Sequence, residues 1–587
     1  MFRKLRRIVL GFLIFLLLFV AVFLWSYLIH PVWGWPNNTA QQGPVPLTPA
    51  WALEPWVWED DHNNAAFVDE LLAGYKEHDF PVRAILLDSP WSTRYNDFIV
   101  DEKLYPNPKE WFLGLQDKGY RVVLWMTCMV DSNSKDTAIQ DSTDWWQEAA
   151  NKGYTTSGDY QFKWWKGKGG FIDYTSPEAM KWWRGLQQNV FDWGIDGWKL
   201  DGTDTFFTSK LFGFLPGPYG KGHGGTITMR DYMHLYAREE YQHGLTQNPD
   251  FVTMIRAVDD GTNELQRIAH PWGFAPLDAS PVTWVGDQDH AWKWEEEGIE
   301  EALRDILKSA TLGYSVIGSD IGGYSGGEIP ADVYIRWAQF GAFCPFYLLG
   351  GHGERRLWLR TPEELELIRQ ATWLHNELVP YIYSHVYATH KGAEQIIRPT
   401  GNGYDYQFGD DFYLAPIHEP SKTRVIDLPP GRWRPFFNDT EVIEGPATFT
   451  RDFEMNDYPV FIRDGAIVPM NVERAYTGIG DKDWAGFLTL NLYPTEDTNS
   501  FEIHHPDKSG STIVGASLHD GGKELRVYLD GVQKPHILRA RVDAKPTSVV
   551  LDDAPLAEGT QWSYDAMKQR LIVRTAQYTR GKYVVKF

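Results

Sequence analysis

The sequence predicts a (β/α)8 TIM barrel followed by C-terminal antiparallel β-sandwich domains, with one apolar N-terminal helix ahead of both. Three observations carry this. Between about residues 50 and 390, short β-type runs alternate with helical patterns, the signature of βα units and a parallel sheet. Acidic residues recur just past the ends of those runs, where a barrel keeps its working groups. After about residue 392, short alternating runs separated by Gly, Pro and Asp turns continue to Phe587, which reads as one or two antiparallel sandwiches.

A chain of 587 residues is too long for one hydrophobic core. The expected organisation is a basic stub (1–7), a transmembrane anchor (8–29), a Pro- and Gly-rich linker (30–49), the barrel (50–392), a proximal β-sandwich (393–469) and a distal one (470–587). Arg3, Lys4, Arg6 and Arg7 precede a charge-free run from Ile8 to Ile29, and at roughly 1.5 Å per residue that run covers a bilayer core of about 30 Å. No Lys or Arg occurs between Arg7 and Lys76, so the positive-inside bias puts the N-terminus in the cytoplasm. The body is then extracellular, periplasmic or lumenal. A cleaved signal peptide is the competing reading, but the run ends Leu24-Trp-Ser-Tyr-Leu-Ile, without the small residues of a cleavage site.

A formal net charge of -22 argues against a nucleic-acid partner. Cys128 and Cys344 sit in apolar contexts and read as two buried thiols, not a bridge. No Cys/His spacing or acidic loop suggests zinc or calcium, and no cofactor is implied. Nothing in the sequence sets an oligomeric state. The 27 tryptophans offer flat faces suited to sugar rings, although most tryptophans anywhere pack cores.

Eight strands are predicted, near Pro55–Trp58, Arg83–Leu87, Arg121–Trp125, Gly197–Leu200, Phe251–Ile255, Val282–Val285, Tyr314–Ile317 and Trp337–Phe343. Insertions at 128–170 and 205–227 follow the third and fourth strands, on the face where barrel loops shape a pocket. The fourth unit is the most explicit. Ser176-Pro177-Glu178 opens a helix with Met180, Trp182, Trp183, Leu186 and Val190 on its apolar side. Gly194 stops that helix, and Gly197-Trp-Lys-Leu200 then delivers Asp201 to a Gly-Thr-Asp204 turn.

Asp60 and Asp61 lie past the first strand, Asp88 ends the second, Asp201 the fourth, Arg256 the fifth, Asp287 the sixth and Asp320 the seventh. One acid at a loop start is ordinary turn chemistry. This many carboxylates with one Arg in a Trp-rich cleft suits the binding of sugar hydroxyls and cleavage of a glycosidic bond. A retaining glycosidase needs a nucleophile and an acid/base about 5–5.5 Å apart. Asp201 reads as the nucleophile, because Lys199 and Arg256 would keep it ionised. Asp287 reads as the acid/base, in a tryptophan-lined site that would raise its pKa. Asp88 and Asp320 would bind hydroxyls, and Trp58, Trp91, Trp125, Trp198 and Trp284 would form walls or platforms.

These segments resemble glycoside hydrolase family 31, the retaining α-glycosidases that include α-glucosidases and α-xylosidases. Lys199-Leu-Asp201-Gly-Thr-Asp204 resembles the nucleophile motif, with Asp204 where many members have Glu. Trp284-Val-Gly286-Asp287 resembles the acid/base motif, and Gly318-Ser-Asp320-Ile-Gly-Gly-Tyr324 the sugar-binding segment. Asp88-Ser-Pro-Trp91, Trp164–Gly170 with Asp173, Arg256 and His352-Gly353 agree as well. By this resemblance Asp88, Arg256, Asp320 and His352 would line the subsite of the non-reducing sugar. The chain departs from the family in placing the barrel directly after the linker, without a preceding β-sandwich. It also lacks an Arg in Pro345–Gly351 and the family's Gly-Ser-Gln-Arg run between Arg256 and Trp284.

The expected function is a membrane-tethered, exo-acting α-glycosidase, an α-glucosidase by family default. An α-xylosidase, an α-galactosidase, a sulfoquinovosidase (a branch that Gly286-Asp-Gln288 resembles) or a transglycosylase would use the same site. The alternative of another class is a non-catalytic, membrane-tethered carbohydrate receptor, which the loss of one carboxylate would mark; both are present.

Overall fold

The computed structural model describes residues 2–25, 44–202, 209–211, 215–217, 219–258 and 275–587. Eight parallel strands form one sheet: β1 (Trp56–Val57), β2 (Ala84–Leu87), β3 (Arg121–Met126), β4 (Gly197–Leu200), β5 (Val252–Arg256), β6 (Val282–Val285), β7 (Ile317–Ser319) and β8 (Leu348–Leu349). Neighbours run in the order β7-β6-β5-β4-β3-β2-β1-β8. The two ends of that order meet at a single bridge, where the Ile321 N–H donates to Leu348 O at 2.9 Å, so the sheet forms a nearly closed barrel. The strands read as continuous apolar runs because both faces are covered, and in β2 and β6 every residue is buried.

Six of the eight predicted strands stand within a residue or two of their expected places. The seventh begins only at Ile317. The eighth is corrected: Trp337–Phe343 belongs largely to the helix Ala331–Gly341, and the strand is the two-residue Leu348–Leu349. From Val333 to Gly341 every residue but Gln339 is buried, and a helix covered on nearly all sides shows no period that separates it from a buried strand. Two residues carry no period of their own, so β8 is held by pairing with β1 and could not announce itself locally.

The helix before β4 spans Pro177–Phe191, and Ser176 Oγ accepts the Ala179 N–H at 3.3 Å. Its buried residues are Ala179, Trp183, Gln187, Val190 and Phe191, whereas Met180, Trp182 and Leu186 are only half-buried. The stripe is rotated toward a polar residue because Glu240, fully buried, accepts from Gln187 Nε2 at 2.7 Å, Trp183 Nε1 at 2.9 Å and Arg184 Nη1 at 2.7 Å. A satisfied buried polar group costs little, and no periodicity reveals such a partner.

The insertion after β3 folds as a three-stranded antiparallel sheet of Met129–Ser134, Phe162–Lys163 and Gly167–Phe171. Beyond the barrel, strands from Ile397–Pro399 to Val460–Arg463 form a six-stranded antiparallel sheet. A five-stranded and a six-stranded sheet follow, sharing a core that includes Leu490, Leu492, Val514, Val527, Leu538 and Val573. Those two sheets are antiparallel except where Leu488–Leu492 pairs in parallel with His536–Arg541. Cys128 and Cys344 are both buried free thiols. At the other end, Phe2–Leu24 is one helix, long and apolar enough to cross a membrane.

Candidate active site

Two groups of strand-end residues stand out. The first lies on β2 to β5. Alternation along β4 sends Lys199 and Trp198 to opposite faces. Lys199 Nζ lies 2.7 Å from Asp88 Oδ2, with both side chains almost fully buried. Asp88 Oδ1 accepts the Ser89 N–H at 2.7 Å. Trp198 instead packs edge-on against Phe98 and Phe191 at centroid distances of 5.6 and 5.5 Å, with no exposure. Its expected place in a sugar platform is therefore corrected: it belongs to the layer between sheet and helices.

Asp201 follows β4 directly, fixed by its N–H donating to Met126 O at 3.0 Å. Its Oδ2 accepts the Trp125 indole N–H at 2.9 Å, and its Oδ1 accepts the Gly202 N–H at 2.8 Å. Arg256 Nη2 stands 3.9 Å from Oδ1. Burial pushes the Asp201 carboxyl up, but Lys199, Arg256, the Trp125 indole and the Gly202 N–H together outweigh it, so its pKa falls below the ordinary aspartate value. Trp91 donates its indole N–H to Trp125 O at 2.7 Å, which holds the end of β3. Trp91 and Trp125 are each 2% exposed, so their contacts are with protein. Asp204 lies outside the described residues.

The second group lies on β1, β6, β7 and β8. Asp287 is exposed and holds a left-handed backbone at φ 68°, a conformation aspartate tolerates better than most residues. Its N–H donates to Asp320 Oδ2 at 3.2 Å, and Asp320 is fully buried. The Trp284 indole folds down over Gly286. A Cβ at Gly286 would stand 1.7 Å from Trp284 Nε1, so only glycine fits. Trp58 covers Gly350 in the same way, at 1.5 Å, and stacks on Tyr324 with centroids 5.7 Å apart.

His352 is clasped on both sides. Its Nδ1 lies 2.6 Å from Asp61 Oδ1, and its Nε2 lies 3.1 Å from the Tyr324 hydroxyl and 3.3 Å from Asp60 Oδ2. The Tyr324 hydroxyl donates to Asp60 Oδ2 at 2.7 Å. Arg355, 1% exposed, ties the loop together by donating to Ile321 O, Gly323 O and His352 O at 2.8, 2.7 and 3.0 Å. Among the described residues, no group of three or more His, Cys, Asp or Glu is placed to hold a metal ion.

The TIM-barrel domain of glycosyl hydrolases family 31 matches residues 45–385, and the family's C-terminal domain matches residues 389–468. The chain belongs to glycosyl hydrolase family 31. Alpha-glucosidase 2 of Bacillus thermoamyloliquefaciens and an alpha-xylosidase of Emericella nidulans are each 24% identical to it over 84% of this chain. The chain spans 62% of the length of each of these relatives. The GH31 dextranase of Flavobacterium johnsoniae, solved with isomaltotriose, superposes with a TM-score of 0.79 at 20% identity, covering 93% of this chain and 72% of that one. At that identity the likeness establishes fold.

Within this family 31 chain, sequence reasoning gave no role to Asp60, Asp61 or Tyr324 as partners of His352, and it missed Arg355. Asp60 and Asp61 were visible as an acidic pair past β1. The partnership was not, because Asp61 and His352 are 291 residues apart in sequence. The only signal for Arg355 is its place three residues after His352, which cannot show that its donors turn back toward 321–323.

Proposed function

We propose that this chain is a retaining, exo-acting α-glycosidase, with Asp201 as nucleophile and Asp287 as acid/base. The observation that carries the reading is the state of Asp201. A carboxylate at a barrel strand end, held ionised by two cations and two N–H donors, suits attack on an anomeric carbon. In the first step Asp201 displaces the aglycone while Asp287 supplies the proton that it needs. In the second, water replaces Asp201 after giving a proton to Asp287. Two inversions return the α configuration. Asp88, Arg256, Asp320 and His352 would hold the sugar's hydroxyls, with a glucose-configured ring the expected occupant.

The test is turnover of a panel of aryl α-glycosides (glucoside, xyloside, galactoside, sulfoquinovoside) by the full chain in detergent, with the first-formed anomer read by NMR. Hydrolysis of the glucoside with initial α-sugar is expected. Initial β-sugar overturns the double displacement, turnover of another member alone reassigns the sugar, and an α-glycosylated acceptor in place of free sugar marks a transglycosylase.

The helix Phe2–Leu24 we assign as an anchor with the N-terminus in the cytoplasm, supported by its apolar length and the basic residues at its start. An alkaline carbonate wash is expected to leave the chain in the membrane pellet. Release as a shortened soluble form would show a cleaved signal instead.

A further inference from the structure

The proposed nucleophile's best indole partner is itself held in place from outside the barrel. Trp125, whose Nε1 donates to Asp201 Oδ2 at 2.9 Å, lies nearly parallel to Trp164, with centroids 6.2 Å apart and planes at 11°. Trp164 sits on the turn between the second and third strands of the insertion, where its N–H donates to Gly167 O and its carbonyl accepts the Gly167 N–H. Tyr95 presses edge-on against both rings, at 5.5 Å from Trp125 and 5.1 Å from Trp164. The Tyr95 hydroxyl donates to Asp136 Oδ1 at 2.7 Å.

One polar group fixes the rotation of the Trp164 ring. Both oxygens of Asp131 lie 3.2 Å from Trp164 Nε1, in a carboxyl group 1% exposed. Asp131 pairs across the insertion's sheet with Gly169, and a Cβ there would stand 2.3 Å from Asp131 Oδ1. The glycine-rich Lys166–Gly170 run thus makes room for an acid in a closed site. Burial pushes that carboxyl well above the usual range, and the indole N–H only partly opposes it. The hydrogen bond to the Trp164 indole offsets part of the cost of burying this acid, and the two groups depend on each other for partners.

We infer that Asp131 is a positioning residue for the reaction: it locks Trp164, whose face sets the orientation of Trp125 and so the hydrogen bond that holds the Asp201 carboxylate. The inference rests on the proposal that Asp201 is the nucleophile. It gives the insertion a role in the chemistry as well as in the pocket wall, and it involves no contact between Asp131 and substrate.

The experiment is a double-mutant cycle on the full chain in detergent. Trp125→Phe removes the indole donor and is expected to lower kcat about tenfold, the scale of one hydrogen bond to a charged group. Asp131→Leu is expected to lower kcat several-fold with KM within twofold, and to lower Tm because the buried Trp164 N–H loses its acceptor. In both variants the acid limb of kcat/KM moves to higher pH, because Asp201 loses part of what keeps it ionised. Asp131→Asn keeps an oxygen acceptor for the indole and retains most of the activity. The deciding result is the Trp125→Phe/Asp131→Leu double variant, expected to be no slower than Trp125→Phe alone. Losses that multiply, or an Asp131→Leu enzyme with unchanged kcat, overturn the relay. Failure of the underlying reading is a separate outcome, because then Asp201→Ala would remain active.

Discussion

Replacing Asp201 with Ala is expected to lower kcat on the order of 10⁴-fold or more, the scale seen when a covalent nucleophile is removed. The fold should survive, because Asp201 is not in the sheet and its partners Trp125, Gly202 and Arg256 have other contacts or backbone roles. A small external nucleophile makes the result specific. With azide in the site left by the carboxylate, an aryl α-glycoside should lose its aryloxide in one displacement and give the β-glycosyl azide. Asp287→Ala should behave differently. An activated aryl group leaves without a proton, so the glycosyl-enzyme forms and waits. Azide then attacks from the opposite face, giving the α-glycosyl azide. Identifying the two azides by NMR assigns both roles in one experiment. An α-azide from Asp201→Ala, or retained turnover without azide, would remove Asp201 from the nucleophile's place.

Lys199→Met is the second large effect, and it acts on stability and chemistry together. Lys199 and Asp88 form an ion pair at 2.7 Å with side chains 5% and 6% exposed. Removing one partner leaves the other charge buried, which costs about 3–5 kcal/mol. Thermal unfolding should therefore show a clear loss for Lys199→Met, and Lys199→Met/Asp88→Leu should regain part of it because no lone charge remains. The same substitution removes a cation that holds the Asp201 carboxyl down against the effect of burial. The Asp201 pKa then rises, so the acid limb of kcat/KM shifts to higher pH. A variant as stable as the parent, with an unmoved acid limb, would show that Lys199 does neither.

Both predictions depend on residues legible in the chain itself. Gly197-Trp-Lys-Leu-Asp201 marks a strand ending in an acid, and a two-residue period places Lys199 on the face opposite Trp198. The direction of each tryptophan was less open to reading. Trp198 turned out to pack between sheet and helices, Trp284 and Trp58 to lie over glycines, and Trp125 to hydrogen-bond Asp201. One aromatic letter fits all of these settings, because indole is apolar enough for a core and carries a single donor that finds a partner only in three dimensions.

The barrel, the sandwich tail, the apolar N-terminal helix and the acids at successive strand ends could all be read from the chain alone. Those features rest on local regularities: hydrophobic period, turn residues, caps and a run of apolar side chains. The folded chain alone shows what joins distant segments. It placed β8 at Leu348–Leu349, turned the helix before β4 toward buried Glu240, clasped His352 between Asp60 and Asp61, and put Asp131 behind Trp164. In each case the stabilising partner is far away in sequence or on another element. A buried polar group is tolerated only where that partner completes its hydrogen bonds, and the pairing is fixed when the chain closes, not where the residue is encoded.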